Sequence, residues 1–406
     1  MPSLLFVSIS FPPKNDPECL QAARYFKYLV QQKSFHIDVV TSARPTLFMP
    51  EDKSLLPYLA GHRQLLELPV WETKWSNFAL RKVGLDSVLF PDSKMTFHWQ
   101  WKKVIRSLQH KPDIIYSRSN PISSAFMATQ LKNFYQVPWV MHMSDPWMIS
   151  PLKKNAGEKE RQREYELIKN ADAITFTTPA TRNLYSTHYP DLQHRFTILP
   201  NVYDPEDRIE FQPVQNPKFR IVYTGGLTEA RSLSFLAAVL EKIELQDPNL
   251  LAQLEIRVAG PRDRFNRRFF ESNRFACMQH LGELTYQDAL QLQRQAHYLM
   301  VVDSPTSAVD AVFFPSKLLD YFLTGLPIMA ITPQNSTTRE ILKDYMSNCF
   351  VHSDVDGLTR FLVHCIKDRG KETQQPRAPL PEKFSAKFNA VLLNELLYNL
   401  LKNKKP

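Results

Sequence analysis

The chain has 406 residues, of which 43% are hydrophobic and 22% charged, a globular composition in a chain too long for a single core. Its 50 Lys and Arg against 41 Asp and Glu leave a net charge of +9, which favours an anionic partner such as a nucleotide or a phospholipid surface. There is no zinc-ligand spacing, RNA-binding aromatic signature or basic repeat, so nucleic acid is not an expected partner.

The predicted elements alternate between short apolar runs and helical patterns. In the first half, strands are predicted at residues 4–9, 37–41, 113–117, 139–143, 173–177 and 196–199, with helices at 17–32, 99–108 and 122–135. A second series of strands is predicted at residues 219–223, 254–258, 298–302 and 327–331. Strands that alternate with helices predict an α/β fold with parallel sheets covered on both faces.

Prolines 200, 205 and 217 mark a linker between two doubly wound, Rossmann-like domains, predicted at residues 1–202 and 203–380. A break rich in Lys, Glu, Gln and Pro is predicted at 367–382, before a final helix at 384–402 within a third segment, 381–406.

The four cysteines are scattered without a CxxC pair, so buried thiols in a reducing compartment are expected. The apolar run at residues 4–9 is too short for the core of a signal peptide, and no run reaches the length of a membrane helix. A cytoplasmic protein is expected, with any membrane contact peripheral.

Residues 314–330 read as a loop, a helix and a strand. Ser316 suits the start of the helix as a cap, and Gly325 suits its end. Lys317 and Asp320 share one face of the first turn. A helix start with a cation and a carboxylate could hold a phosphorylated ligand that carries a ribose. The alternative is an ordinary helix whose Lys and Asp are solvated.

A second candidate phosphate loop follows the strand at 219–223. Gly225 and Gly226 would let backbone approach a pyrophosphate, and Arg231 could neutralise it. The alternative is a tight turn with a surface Arg.

On the N-terminal side, His142, Ser144 and Asp145 lie at the end of the strand at 139–143, where ligands of open α/β sheets bind. His is the usual general base, and Asp can position a hydroxyl. The alternative is a packed His and a capping Asp. The loop after the first strand is a further acceptor-side candidate and contains Phe11, Pro12 and Pro13.

In combination, these segments resemble a family. The motifs that carry the resemblance are Phe11-Pro12-Pro13, residues 111–115, 171–174, 198–201, 223–227 with Arg231, 258–260, 280–283 and 314–330. Their order and spacing resemble the GT-B-fold, group-1 (family 4-like) glycosyltransferases that make bacterial polysaccharides and glycolipids.

The resemblance implies two domains facing a central cleft, with the final helix crossing back to the N-terminal domain. It also implies a nucleotide-sugar donor, a glycan or lipid-linked acceptor, and sugar transfer with retention, without a metal or other cofactor. Arg231, Ser316 and Lys317 would hold the donor diphosphate beside Gly225 and Gly226. Asp320 would grip the ribose, and His142 and Asp145 would be catalytic or acceptor-side groups. Val312 departs from the family, which commonly has a glutamate there.

Three other segments each have two interpretations. Asp354-Val355-Asp356 could suggest a metal, but the helical pattern that follows favours a cap. Segment 71–107 combines Trp with Lys and Arg, which suits either an anionic membrane surface or a packed insertion with a solvated basic face. The Arg-rich segment 257–274 could face phosphates, but it favours a charged helix surface.

Three functions remain open. They are a retaining glycosyltransferase, a nucleotide-sugar epimerase of the same architecture, and a non-catalytic relative that acts as a binding or scaffold subunit.

Overall fold

A computed structural model describes residues 1–43, 51–72, 90–151, 153, 157–208, 216–229, 231–272, 274–305, 312–372 and 379–403. The chain divides into two compact units. Unit 1 comprises Met1–Asp204 and Lys383–Pro406, and unit 2 comprises Pro205–Glu382. The first division therefore falls inside the proline-marked linker, two residues beyond the predicted position.

The strands form one sheet in each unit. Unit 1 contains β1 Ser3–Val7, β2 His36–Ala43, β3 Gln64–Pro69, β4 Ile114–Ser119, β5 Trp139–Met143, β6 Ala173–Phe176 and β7 Phe196–Ile198. Unit 2 contains β8 Phe219–Thr224, β9 Leu254–Ala259, β10 Met278–His280, β11 Tyr298–Val302, β12 Ile328–Ile331 and β13 Ser347–Phe350. Strands β3, β10 and β13 were absent from the sequence prediction, and each of them is an edge strand of its sheet.

The described helices run as follows. They are α1 Pro17–Gln31, α2 Trp101–Ser107, α3 Ser123–Tyr135, α4 Glu158–Asn170, α5 Pro179–His188, α6 Leu236–Gln246, α7 Pro248–Ala252, α8 Arg264–Glu271, α9 Tyr286–Arg294, α10 Lys317–Thr324, α11 Thr337–Leu342, α12 Val355–Glu372 and α13 Ala386–Asn403. Helix α12 continues into the predicted break at 367–382, so the prediction that the helical pattern stops at 367 is wrong. Residues 373–378 lie outside the described residues.

Both sheets are parallel and doubly wound. The strand order is β3-β2-β1-β4-β5-β6-β7 in unit 1 and β10-β9-β8-β11-β12-β13 in unit 2. In each order the direction of winding reverses beside the first strand, between β1 and β4 and between β8 and β11. Ligands of such sheets bind at this reversal, outside the carboxyl ends of the strands. The predicted α/β class with two Rossmann-like sheets is confirmed.

Helix α13 belongs to unit 1 because of its apolar face. Ala386, Ala390, Leu393 and Leu397 repeat at a helical spacing, are buried, and share a cluster with residues of α1 and β1. Tyr203 and Ala386 fix the entry to this helix, since the Tyr203 N–H donates to Phe384 O and the Ala386 N–H donates to Tyr203 O. Within the described residues, no helix is both long enough and apolar enough to cross a membrane.

Candidate functional site

At the reversal in unit 2, two glycine loops touch each other. Gly225 follows β8 and Gly260 follows β9, and both have φ of +132°, which favours glycine. A Cβ atom at Gly260 would lie 2.4 Å from Gly225 O, and one at Gly225 would lie 2.7 Å from Lys317 Nζ. The hydroxyl of Tyr223 donates to Gly226 O at 3.0 Å. Of the predicted glycine pair, Gly225 therefore requires glycine, whereas Gly226 has ordinary space for a Cβ atom, with Pro261 Cγ at 3.6 Å.

Lys317 begins α10 and lies over this loop. Its Nζ atom is 3.8 Å from the centre of the Tyr223 ring. That nitrogen is buried and has no hydrogen-bond partner among the described residues, although the residue as a whole is half-buried. Burial lowers the pKa of Lys317 well below its usual value, nearby Arg231 lowers it further, and the Asp303 carboxylate opposes both. A buried ammonium without a partner is costly unless an anion binds there.

Arg231 supplies a second cation. Its backbone closes a turn with Thr228, whose carbonyl accepts from the Arg231 N–H at 2.8 Å. The Nε atom of Arg231 is buried and has no hydrogen-bond partner among the residues that the structure describes. Arg231 and Lys317 thus leave N–H donors unused near the glycine loop, and charged donors of this kind suit a diphosphate.

The sequence prediction missed Asp303, directly after β11. This buried carboxylate accepts a hydrogen bond from the Thr332 hydroxyl at 2.6 Å, and the Asp303 N–H donates to Ile331 O at 2.9 Å. The Asp303 carboxylate partly offsets the electrostatic effect of burial and of Arg231 on Lys317, because it raises the pKa of that lysine. Asp303 directly follows a buried apolar strand, and this position in the sequence could have identified it as a candidate site residue.

The start of α10 differs from the prediction in one respect. Ser316 has helical dihedral angles and makes no side-chain cap hydrogen bond, so the predicted Ser cap is wrong. Gly325 ends the helix in the left-handed conformation at φ of 67°, as predicted. Asp320 accepts a hydrogen bond from the Tyr286 hydroxyl at 3.4 Å. Val312, at the family's usual glutamate position, is buried.

Tyr321 fixes α10 to the sheet. Its hydroxyl accepts from the Thr224 N–H at 3.1 Å and donates to Met300 O at 3.0 Å, so one side chain joins α10 to β8 and β11. Lys317 and the glycine loop are consequently held on one rigid frame.

In unit 1, His142 lies within β5 and is fully buried. Its Nδ1 atom is 2.8 Å from Thr175 Oγ1, and its Nε2 atom is buried without a hydrogen-bond partner. Burial, and then the charge of Arg118, lower the pKa of His142 well below its usual value. The imidazole is therefore neutral at neutral pH and suits hydrogen bonding better than proton uptake.

Ser144 is held by an ion pair that the sequence prediction missed. Its hydroxyl donates to Glu18 Oε2, and Arg118 Nε donates to Glu18 Oε1 at 2.7 Å. Burial alone would lower the pKa of Arg118, but Glu18 raises it above the usual range. Since its proton is committed to Glu18, the Ser144 oxygen can only accept a hydrogen bond from a ligand.

The remaining acceptor-side candidates divide between surface and core. Asp145 is half-buried and accepts from Asn120 Nδ2 at 3.2 Å. Phe11 is fully buried, with its ring 5.2 Å from that of Phe26, so its side chain packs in the core. Pro12 and Pro13 follow it in the same loop. A ligand at this loop would contact its backbone or its prolines and would not contact the Phe11 ring.

Among the described residues, no group of three or more His, Cys, Asp or Glu side chains is arranged to hold a metal ion. Asp354 accepts from the Gly357 N–H at 2.9 Å, which confirms a capping contact at the start of α12. Asp356 pairs with Lys242.

Taken together, the fold and the loops define a two-unit, Rossmann-like protein with two glycine loops and the cations of Arg231 and Lys317 at the reversal of its second sheet. Residues 22–207 match the family described as Glycosyltransferase Family 4. This match confirms the resemblance that the motifs indicated. No curated protein matches the chain.

Solved structures of similar fold cover the whole chain. Anabaena HepE in complex with UDP and glucose has a TM-score of 0.64 at 15% identity, over 99% of this chain and 100% of HepE. Sucrose-phosphate synthase from Thermosynechococcus elongatus has a TM-score of 0.67 at 14% identity, over 100% of both chains. A candidate UDP-N-acetylglucosamine 2-epimerase from Listeria monocytogenes has a TM-score of 0.58 at 12% identity, over 100% of this chain and 97% of that one. The predicted GT-B fold is confirmed.

Proposed function

We propose that the protein transfers a sugar from a nucleotide-sugar donor to a glycan or a lipid-linked acceptor, with retention and without a metal ion. The observation that carries this proposal is the buried, unpartnered ammonium of Lys317 against the glycine loop. The family match supports sugar transfer, and HepE, which shares the fold, was crystallised with UDP and with UDP-glucose.

On the donor side, the diphosphate lies along Gly225 and Gly226, with Arg231 and Lys317 as its cations and Ser316 at the start of α10. Asp320 accepts hydrogen bonds from the ribose. During transfer, the bond between the sugar C1 and the phosphate oxygen breaks and a bond from C1 to the acceptor oxygen forms. The acceptor's proton passes to the departing diphosphate. Arg231 and Lys317 stabilise the negative charge that develops there, which is the contribution that a metal ion makes in other enzymes.

On the acceptor side, Ser144 and Asp145 supply hydrogen-bond acceptors for hydroxyl groups, because their oxygens lie at the carboxyl end of β5. His142, neutral and buried, contributes its Nε2 atom. Pro12 and Pro13 shape the neighbouring loop. A lipid-linked acceptor would bring the protein to the surface of a membrane as a peripheral protein on the cytoplasmic side.

The proposal is tested by incubating the protein with a panel of nucleotide-sugars in the presence of EDTA. Nucleotide release that depends on an added acceptor, with the donor's anomeric configuration kept in the product as seen by NMR, is expected. Loss of activity with EDTA that manganese restores would contradict the metal-independent mechanism. Release of an epimer without an acceptor would identify an epimerase, and nucleotide binding without turnover would identify a binding subunit.

A further inference from the structure

One face of α2 and the turn before it carries a tryptophan and three cations. Trp99, Lys102, Lys103 and Arg106 are three, four and seven residues apart, so they project from the same side of the helical backbone. All four are exposed, and Trp99 is exposed to 60%. Val104, on the opposite side, is buried in the core of unit 1. This set of four residues is called the Trp99 face below.

Two further exposed aromatic side chains lie on segments that contact α2 or the segment that leads into it. Trp71 is 81% exposed, and its backbone N–H donates to Thr96 Oγ1 at 3.0 Å, within the segment that leads into α2. Phe134, on α3, is 54% exposed, and its ring lies 6.4 Å from that of Trp101, on α2. The basic and Trp-containing segment 71–107 includes Trp71 and Trp99 but not Phe134, and its Trp75 lies outside the described residues.

The charged residues of the segment that contains Trp99 have one sign. Residues 93–112 include five Lys and Arg and no Asp or Glu. Lys94 is buried beside Glu72, but no ion pair joins Lys102, Lys103 or Arg106 to a carboxylate of the described residues. These three cations are therefore available to an external anion.

We propose that the Trp99 face, together with Trp71 and Phe134, binds the surface of an anionic phospholipid membrane. Tryptophan rings are favoured at the depth of the headgroups, and exposed Lys and Arg are attracted to acidic lipids. Exposed indole rings near Lys and Arg side chains that form no ion pair with the described carboxylates suit the headgroup layer of such a membrane better than bulk water. The lipid-linked acceptor of the proposed function gives the contact its purpose, but vesicle binding itself does not require sugar transfer.

The test compares two triple variants that change the net charge equally. In the first, Lys102→Glu, Lys103→Glu and Arg106→Glu reverse the Trp99 face. In the second, Arg264→Glu, Arg267→Glu and Arg268→Glu reverse three exposed cations on α8 of unit 2. Co-sedimentation is measured at low salt with vesicles of equimolar phosphatidylglycerol and phosphatidylcholine, and with vesicles of phosphatidylcholine alone.

The wild type is expected to bind the acidic vesicles, and to bind less as salt increases, because such attraction is screened beyond about 8–10 Å at physiological ionic strength. Each basic side chain contributes roughly fivefold, so the first triple variant should bind at least about 100-fold more weakly. The second should bind like the wild type. Trp99→Ala with Phe134→Ala should also weaken binding, because it removes the aromatic contacts.

Three results would overturn the proposal. They are no binding to acidic vesicles at low salt, equal losses in the two triple variants, and a wild-type dimer in sedimentation equilibrium that Trp71→Ala and Trp99→Ala dissociate. The last would assign the surface to a second copy of the chain. Donor turnover in vesicle-free solution separates this question from the proposed function, because Lys102, Lys103 and Arg106 do not belong to the donor site.

Discussion

The two sheets of this protein treat buried charge in opposite ways at the same topological position. In unit 1, Arg118 at the end of β4 is buried and paired with Glu18, whose second oxygen is taken by Ser144. In unit 2, the ammonium of Lys317 is buried against Tyr223, and no carboxylate of the described residues lies within hydrogen-bond distance of it. Both arrangements lie where the winding of the sheet reverses.

The difference bears on which ligands the carboxyl end of each sheet can attract. A charge that is paired internally fixes the shape of its surroundings, whereas a charge left unpaired retains its full capacity to attract a ligand of opposite sign. The carboxyl end of the sheet in unit 1 therefore holds a preformed arrangement in which the charges of Glu18 and Arg118 compensate each other. The carboxyl end of the sheet in unit 2 holds the ammonium of Lys317, whose proposed ligand is the donor diphosphate.

The largest effect expected from this contrast is on stability. Glu18→Ala leaves the charge of Arg118 buried without a carboxylate partner and should lower the free energy of unfolding of unit 1 by about 3–5 kcal/mol. Lys317→Met removes a buried charge that has no partner, and should leave unit 2 as stable as before or more stable. Urea unfolding combined with hydrogen exchange at β4 and β8 measures the two units separately.

The double variant Glu18→Ala, Arg118→Met is the control for this prediction. Because it removes both charges, it should recover much of the lost stability. If Glu18→Ala lowers the free energy of unfolding no more than Lys317→Met does, the proposed contrast between the paired Arg118 and the unpaired Lys317 is wrong.

The next effect is on donor binding. Lys317→Ala should weaken binding of the nucleoside diphosphate that the activity screen identifies by about 1.5–3 kcal/mol, and Arg231→Ala should act alike, since each removes a charge-assisted hydrogen bond. Isothermal titration measures this loss. Lys242→Ala, which removes an exposed lysine paired with Asp356 in the same unit, is the control.

The pH dependence of this binding has a definite sign. Burial lowers the pKa of Lys317 well below 10.5, so the free ammonium loses its proton earlier than an ordinary lysine does. A bound diphosphate favours the protonated form, and binding should therefore weaken as pH rises through the lowered pKa. Wild-type affinity that is independent of pH in the alkaline range, together with unchanged binding by both variants, would remove Lys317 from the site.

The contrast also explains which parts of the site were predictable. Gly225, Gly226 and Lys317 could be proposed from the sequence because each belongs to a local pattern, a glycine pair after a strand and a cation at a helix start. Glu18 and Arg118 were not found, because the contact joins residues 100 positions apart and neither position is unusual by itself. Only the sheet order, which places β1 beside β4, brings them together.

The central strands of the two sheets were more predictable than the strands at the sheet edges. Buried strands such as β11 and β12 have continuous apolar runs, which a parallel sheet covered on both faces requires. Strand β3 has the sequence QLLELP and partly exposed residues, so no clear alternation distinguishes it from a loop. Ser316 shows the converse error, since a residue type that often caps helices is here already inside the helical turn.

The smallest predicted effect concerns the carboxylate at the start of α1, beside the acceptor-side loop. Asp16 caps this helix by accepting hydrogen bonds from the N–H groups of Glu18 and Cys19, at 3.0 and 3.1 Å. Burial raises the pKa of Asp16 from 3.8 to about 6, and the hydrogen bond from Cys19 opposes this only in part. Burial therefore destabilises the ionised form of Asp16. The carboxylate of Glu18, two residues further on, is instead paired with Arg118.

Since the folded protein binds this proton more tightly than the unfolded chain does, the stabilisation is fully present below pH 3.8 and is lost as pH rises through about 6. Asp16→Asn keeps an oxygen for the cap but carries no charge. It should be more stable than the wild type by roughly 1–2 kcal/mol above pH 6, with the advantage shrinking towards pH 4. Urea unfolding at the two pH values measures the gap, with Asp247→Asn, at the cap of α7, as the control for the amide itself. A gap of equal size at both pH values would mean that the cap geometry, and not the buried charge, sets the stability of this helix start.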